Sequence, residues 1–242
     1  MPNVDHARRE LRLKVVYYGP GMGGKTSNLE HIHRKTRPDM RGKLITLNDA
    51  SERTLFFDLL PMELGEYKGY SVRVHLCTVP GQIANDRVRR LVLRHVDGIV
   101  MVVDSQHQRI AENVESIRNL ENNLRLQGED PVRLPLVVQY NKRDLPTAAG
   151  VATLRQVLGV PDGTLQVEAV ATQGVGVFET FKAILGSCLA QVVDPQAAPA
   201  GRSPSIVPGR RVSMFPDAEP AALGRERMPP SPPLPRFDEG DH

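Results

Sequence analysis

The chain has 242 residues, 40% of them hydrophobic, with a formal net charge of +3 and two cysteines. That length permits one or two domains and that apolar fraction a real core; the small charge, without Lys/Arg clusters interleaved with stacking aromatics, argues against nucleic acid as a partner. Cys77 and Cys188 stand far apart in apolar company, so they read as buried thiols of a reducing compartment and not as a disulfide or metal pair.

Residues 1–10, M-P-N-V-D-H-A-R-R-E, read as a short N-terminal extension without the apolar core of a signal peptide. No stretch approaches the roughly 18 apolar residues of a membrane span. A Met-Gly start and a terminal prenylation box are absent too. The expectation is a cytoplasmic protein with no anchor of its own.

The apolar run Leu13-Lys14-Val15-Val16-Tyr17-Tyr18 predicts a first strand, and G-P-G-M-G-G-K-T (19 to 26) follows it directly. This is a complete G-x-x-x-x-G-K-[ST] loop in strand-before, helix-after context. Glycines 19, 21, 23 and 24 let the backbone wrap tightly and turn its N–H groups inward on a phosphate at a helix start. Lys25 is the candidate ligand of the β- and γ-phosphates and Thr26 of Mg²⁺, with Ser27 beside it in the nucleotide-contact set. The helix should run from Lys25 to about Arg34.

Strands are expected at Lys43 to Leu47, at Ser71 to Thr78 with period-2 alternation, at Gly98 to Val103, at Leu134 to Tyr140 and at Leu165 to Val170. The stretch between the second and third strands reads as polar connection. Helices are expected over His107 to Gln127, Thr153 to Leu158 and Val177 to Val192. The continuous apolar runs at 98 and 134 mark strands covered on both faces. The alternation predicts an α/β fold with a doubly wound, mostly parallel sheet, whose ligands sit at the carboxyl ends of the strands. That domain spans 11–194. Beyond it the composition changes: 195–242 holds eleven of the 20 prolines, cannot bury enough apolar surface to offset its ordering, and reads as a disordered proline-rich tail. Pro-Pro-Ser-Pro-Pro-Leu-Pro-Arg (229 to 236) is its polyproline stretch.

A phosphate loop alone leaves kinases, ATPases and GTPases open. Asn141-Lys142-Arg143-Asp144 follows a buried strand on the same sheet edge. The Asp144 carboxylate can accept from guanine N1–H and the exocyclic amine together, a donor pair that adenine lacks. Lys142 can lie along the base, and Asn141 can tie this loop to the phosphate loop. N-K-x-D is also a common polar turn; its distance from the upstream loop, about one α/β domain, gives it force. After the last strand, Ala171-Thr172-Gln173-Gly174 occupies the place where a backbone N–H meets the guanine carbonyl. Thr78-Val79-Pro80-Gly81-Gln82 supplies a flexible Gly81 for the γ-phosphate and Gln82 to orient water. Thr54 is a candidate Mg²⁺ ligand. Arg53 reads equally as a solvated loop arginine or as an arginine finger in cis.

Y-Y-G-P-G-x-x-G-K-T, R-T-L-F-F-D-x-L-P, T-V-P-G-Q and Q-Y-N-K-R-D-L-P together resemble the MglA family of bacterial Ras-like GTPases, which set front-rear polarity in gliding motility. The resemblance runs from about Leu11 to Val193. It implies a GTP/GDP switch using Mg²⁺, slow in hydrolysis until a homodimeric roadblock-fold activating partner, MglB, repositions the switch segments, and recruited to a cell pole in the GTP state. By position it makes Arg53 the intrinsic finger, Gln82 the water-orienting glutamine, and Thr26 and Thr54 the Mg²⁺-side threonines. Two departures stand out. Thr78 replaces the Asp by which most Ras-type proteins hold Mg²⁺ through a water, with Asp58 as a candidate substitute. The tail exceeds what typical members carry, which implies another partner or address. A non-hydrolysing nucleotide-binding scaffold remains the alternative that Thr78 keeps open. A P-loop kinase has no use for Asn141-Lys142-Arg143-Asp144.

Overall fold

The computed structural model describes residues 3–47, 57–80 and 86–193. Among them, eight strands and five helices follow one another as β1 (Asn3–Asp5), β2 (Glu10–Tyr18), α1 (Lys25–Lys35), β3 (Ile45–Leu47), β4 (Phe57–Tyr67), β5 (Tyr70–Thr78), α2 (Asp86–Leu93), β6 (Gly98–Asp104), α3 (Ile110–Leu126), β7 (Leu136–Asn141), α4 (Val151–Val157), β8 (Leu165–Glu168) and α5 (Val177–Val193). All strands form one sheet in the order β3-β4-β5-β2-β6-β7-β8, with β1 on β2. Four pairings are parallel and three antiparallel. The fold is the expected α/β, doubly wound and mostly parallel.

Burial explains the continuous apolar runs. In β2, Val15 and Tyr17 face a core shared with α1 and α5, while Val16 and Tyr18 face a second core shared with α2, α3 and α4. In β6, Val100 and Val102 join the first core and Ile99, Met101 and Val103 the second. A strand wetted on neither face needs apolar residues at every position. Strand order reverses between β2 and β6, so the loops leaving their carboxyl ends diverge and open a crevice there.

Three elements depart from the sequence reading. The stretch read as polar connection contains β4, eleven residues long, pairing antiparallel with β5. Its inward row is Asp58, Leu60 and Met62, all buried, and Pro61 stands on the other face in mid-strand; an inward carboxylate and a proline both work against strand propensity. Pro61 is accommodated because it lies past the β3 ladder, which ends at Ile45 opposite Leu59. Lys68 and Gly69, both at positive φ, close the β4–β5 hairpin as a two-residue turn. The second departure is α2, whose inward face carries fully buried Arg89 beside Val92 and Leu93 and so lacks a clean apolar stripe. The third is β1, which pairs part of the N-terminal extension with β2. The proline-rich tail lies outside the described residues.

Candidate functional site

The phosphate loop links β2 to α1 at the switch point of the sheet. Two of its glycines are irreplaceable on steric grounds. Gly19 has φ 147, and a Cβ there would lie 2.2 Å from the Val102 carbonyl oxygen; Gly24 has φ 100, and its Cβ would lie 2.1 Å from Asn141 Nδ2. Gly24 also caps α1, whose first-turn N–H groups and dipole favour an anion. Gly21 is half-buried and Gly23 buried, and neither has positive φ. Met22 between them carries φ 60 and is 89% exposed.

Lys25 is buried and donates from Nζ to the carbonyls of Gly19 and Pro20, at 3.0 and 2.7 Å. Burial lowers its pKa to about 7, helped by the nearby charge of Arg89 and opposed by that of Asp58. A desolvated ammonium of this kind is stabilised by a counter-anion, which is what phosphate supplies. Thr26 is exposed and Ser27 half-buried in the first turn of α1.

Asp58 gathers the hydroxyls around it. Its Oδ2 accepts from Thr26 Oγ1 at 2.7 Å and from Thr78 Oγ1 at 3.0 Å, and its Oδ1 from Thr46 Oγ1 at 2.9 Å. Thr78 Oγ1 in turn accepts from the Asp58 N–H at 2.8 Å. The carboxylate is 3% exposed. It places a negative charge beside Thr26, supplied from β4 and not from the end of β5. No group of three or more His, Cys, Asp or Glu suited to a metal occurs among the described residues. The donors at this corner are hard oxygens, the set that suits Mg²⁺.

On the other side of the crevice, Asn141 closes β7 and joins three segments. Its Nδ2 donates to the Gly23 carbonyl at 2.8 Å, and its Oδ1 accepts from the Ala171 N–H at 2.9 Å. The phosphate loop, the loop after β7 and the loop after β8 are thus fixed relative to one another. Lys142, at φ 64, points its Nζ at Asp104 Oδ2, 2.6 Å away. Asp144 is exposed at the mouth of the same loop. Below the loops, Asn28, Gln139 and Thr180 form a buried amide-hydroxyl chain joining α1, β7 and α5. Arg53, Thr54, Gly81 and Gln82 lie outside the described residues. Asp104, Arg109 and Thr46 are additions that the sequence reading does not contain; the available signal is Asp104, a charge at the carboxyl end of an otherwise apolar strand.

Residues 61–191 match the family model of the ADP-ribosylation factors. Over 187 residues the chain is 49% identical to the mutual gliding-motility protein MglA of Myxococcus xanthus, an alignment covering 76% of this chain and 94% of that one. The chain belongs to the MglA family of Ras-like small GTPases. A weaker likeness, 30% over 135 residues, reaches elongation factor 4 of Sorangium cellulosum, of which it covers 21%. As a member of the MglA family the chain is a GTP hydrolase, with GTP as substrate and GDP as product. No described helix is long and apolar enough to cross a membrane.

Proposed function

We propose that this MglA-family GTPase is a GTP/GDP switch in cell polarity or gliding motility, with hydrolysis that is slow until a homodimeric roadblock-type partner engages it. The observation that carries the nucleotide part is Asn141, whose amide ties the Gly23 carbonyl to the Ala171 N–H and so holds the phosphate-binding and guanine-reading loops in one frame. The identity to MglA along 94% of that protein supports the motility part. Asp144 reads the guanine edge, Lys142 lies along the base, and Gly19 to Ser27 cradle the phosphates. Pole recruitment in the GTP state and unidentified effectors of that state complete the reading.

Phosphoryl transfer asks the protein mainly for position and charge. Mg²⁺ would neutralise charge on the β- and γ-phosphate oxygens, held from the protein side by Thr26 and Thr54. Asp58 supplies at Thr26 the negative charge that Thr78 does not. Lys25 stabilises the same phosphate oxygens, Arg53 acts as a finger in cis, Gly81 contacts the γ-phosphate, and Gln82 orients the attacking water. The tail 195–242 serves a further partner or address. The test is single-turnover GTP hydrolysis with and without the roadblock partner. Stimulation that Arg53→Ala or Gln82→Ala abolishes is expected; equal slow rates in every case would overturn the reading.

The second reading, a nucleotide-binding scaffold with little or no hydrolysis, draws on Thr78, whose hydroxyl is already committed to Asp58. Under it, bound GTP persists unhydrolysed even with partner present.

A further inference from the structure

Asp104 ends β6 directly opposite Asn141 in the parallel register with β7, and its side chain is fully buried. A buried carboxylate is tolerated only when paired and hydrogen-bonded. Oδ2 receives Lys142 Nζ at 2.6 Å and faces Arg109 Nε at 3.8 Å; Oδ1 accepts from the Gln106 N–H and side-chain amide, both at 3.2 Å. Two cations therefore share one carboxylate oxygen. One belongs to the guanine-reading loop. The other, Arg109, stands ahead of α3 and reaches back: its NH2 donates to the Gly21 carbonyl at 2.9 Å while NH1 is braced on Glu112 at 2.7 Å.

The Gly21 contact fixes more than one atom. In a planar trans peptide the C=O of Gly21 and the N–H of Met22 point in opposite directions. Holding that carbonyl towards Arg109 turns the Met22 N–H away from Arg109. Met22 is a non-glycine residue at φ 60 with its side chain 89% exposed, so packing does not hold it in this disfavoured conformation. The turn bond from the Gly23 N–H to the Pro20 carbonyl, at 3.3 Å, brackets the Gly21–Met22 peptide, and the side-chain hydrogen bond described on that peptide is the one from Arg109.

We propose that Arg109 and Asp104 are positioning residues of the nucleotide site: Arg109 aims the Gly21–Met22 peptide so that the Met22 N–H serves as a phosphate donor, and Asp104 orients Arg109 and Lys142 together. This rests on the reading of Gly19 to Thr26 as the guanine-nucleotide site. It makes phosphate grip and base grip depend on one buried carboxylate.

The test uses the full chain with mant-GDP, mant-GTP and mant-ADP as probes, and ³¹P NMR of bound GDP. Arg109→Gln should release mant-GDP and mant-GTP on the order of tenfold faster, the scale of one charge-assisted hydrogen bond, and should shift the ³¹P resonance of the bound diphosphate. Preference for mant-GDP over mant-ADP should persist, since Arg109 does not meet the base. Asp104→Asn should accelerate release further, because it frees Lys142 as well, and the double variant should fall well short of the product of the two single effects. Melting of the nucleotide-free protein serves as control; should Arg109→Gln prove unstable, Arg109→Lys takes its place in the release and ³¹P measurements. Wild-type release rates with an unshifted ³¹P resonance in the Arg109 variant overturn the proposal. Failure of the wild-type chain to retain mant-GDP instead overturns the nucleotide reading beneath it.

Discussion

The Thr26 hydroxyl donates to Asp58 Oδ2 at 2.7 Å, joining the first turn of the helix after the phosphate loop to a strand 32 residues on. Asp58 also receives Thr46 and Thr78, so one buried carboxylate organises three hydroxyls. If it supplies the charge that Thr78 lacks, Asp58→Asn should weaken Mg²⁺-dependent GTP and GDP binding by on the order of tenfold, as expected for loss of a charge-assisted contact. Fluorescence titration with and without Mg²⁺ measures it. An unchanged ratio between the two conditions would remove Asp58 from the metal site and leave it a structural node.

Gly24 and Asn141 approach so closely that there is no room for a methyl group between them. An alanine Cβ at 24 would lie 2.1 Å from Asn141 Nδ2, and the backbone is at φ 100, so Gly24→Ala incurs strain of more than about 1 kcal/mol and pushes out the amide that joins the loops. Asn141→Ala removes the same tie without the collision, stranding the Gly23 carbonyl and the Ala171 N–H at about 1–3 kcal/mol. Both variants should release nucleotide faster than wild type in stopped-flow exchange, with Gly24→Ala the worse. Equal release from all three proteins would mean that the tie does not bear on the ligand.

Arg89 is the most deeply buried cation described, at 0% exposure. Its Nε donates to the Pro80 carbonyl at 3.0 Å, NH1 to Asn119 Oδ1 at 2.7 Å, and the guanidinium lies 5.5 Å over the Tyr18 ring. Asn119 also accepts from the Tyr18 hydroxyl and donates to Asp86. Arg89→Met fits the volume but takes from the Pro80 carbonyl its donor and from Asn119 Oδ1 one of several, a loss of about 1–3 kcal/mol, the usual cost of leaving a buried acceptor unmet. Urea unfolding is the measurement. A loss below about 1 kcal/mol would mean that the network repacks around an apolar side chain.

How far the sequence reveals this molecule depends on where its information is local. The phosphate loop and the turn after β7 were legible because glycine freedom, a lysine and a carboxylate must occur at fixed spacing. The runs at 98 and 134 were legible because full burial demands apolar residues throughout. β4 was not, because its inward row begins with Asp58 and Pro61 stands on its other face in mid-strand, and both are tolerated only through contacts that lie far off in sequence, the three threonines and the end of the β3 ladder. α2 was hidden for the same reason, since Arg89 is acceptable on an inward face only once Asn119, Pro80 and Tyr18 surround it. Asp104 and Arg109 are near in sequence, but what they hold, Lys142 after β7 and the Gly21 carbonyl after β2, reaches them only because β6 lies between β2 and β7.

Asp97, at the opposite end of the sheet from the crevice, gives the pH dependence. Burial raises its pKa from 3.8 to about 6, against the opposing effects of the Lys14 N–H, donated to Oδ2 at 2.8 Å, and the Lys14 charge, while Glu129 adds to the rise. The folded protein therefore holds a proton that the unfolded chain has released between about pH 4 and pH 6. In that window the native state binds more protons, so stability falls as pH rises, and above pH 6 the penalty for the ionised carboxylate is fully present. Across about two units it amounts to at most about 3 kcal/mol. Asp97→Asn keeps an acceptor for Lys14 and cannot ionise. It should be more stable than wild type at pH 7 by up to that amount, with the difference shrinking to nothing near pH 4. Urea midpoints at pH 4, 5, 6 and 7 give the curve; a pH-independent difference between the two proteins would show that Asp97 does not hold its proton in the fold.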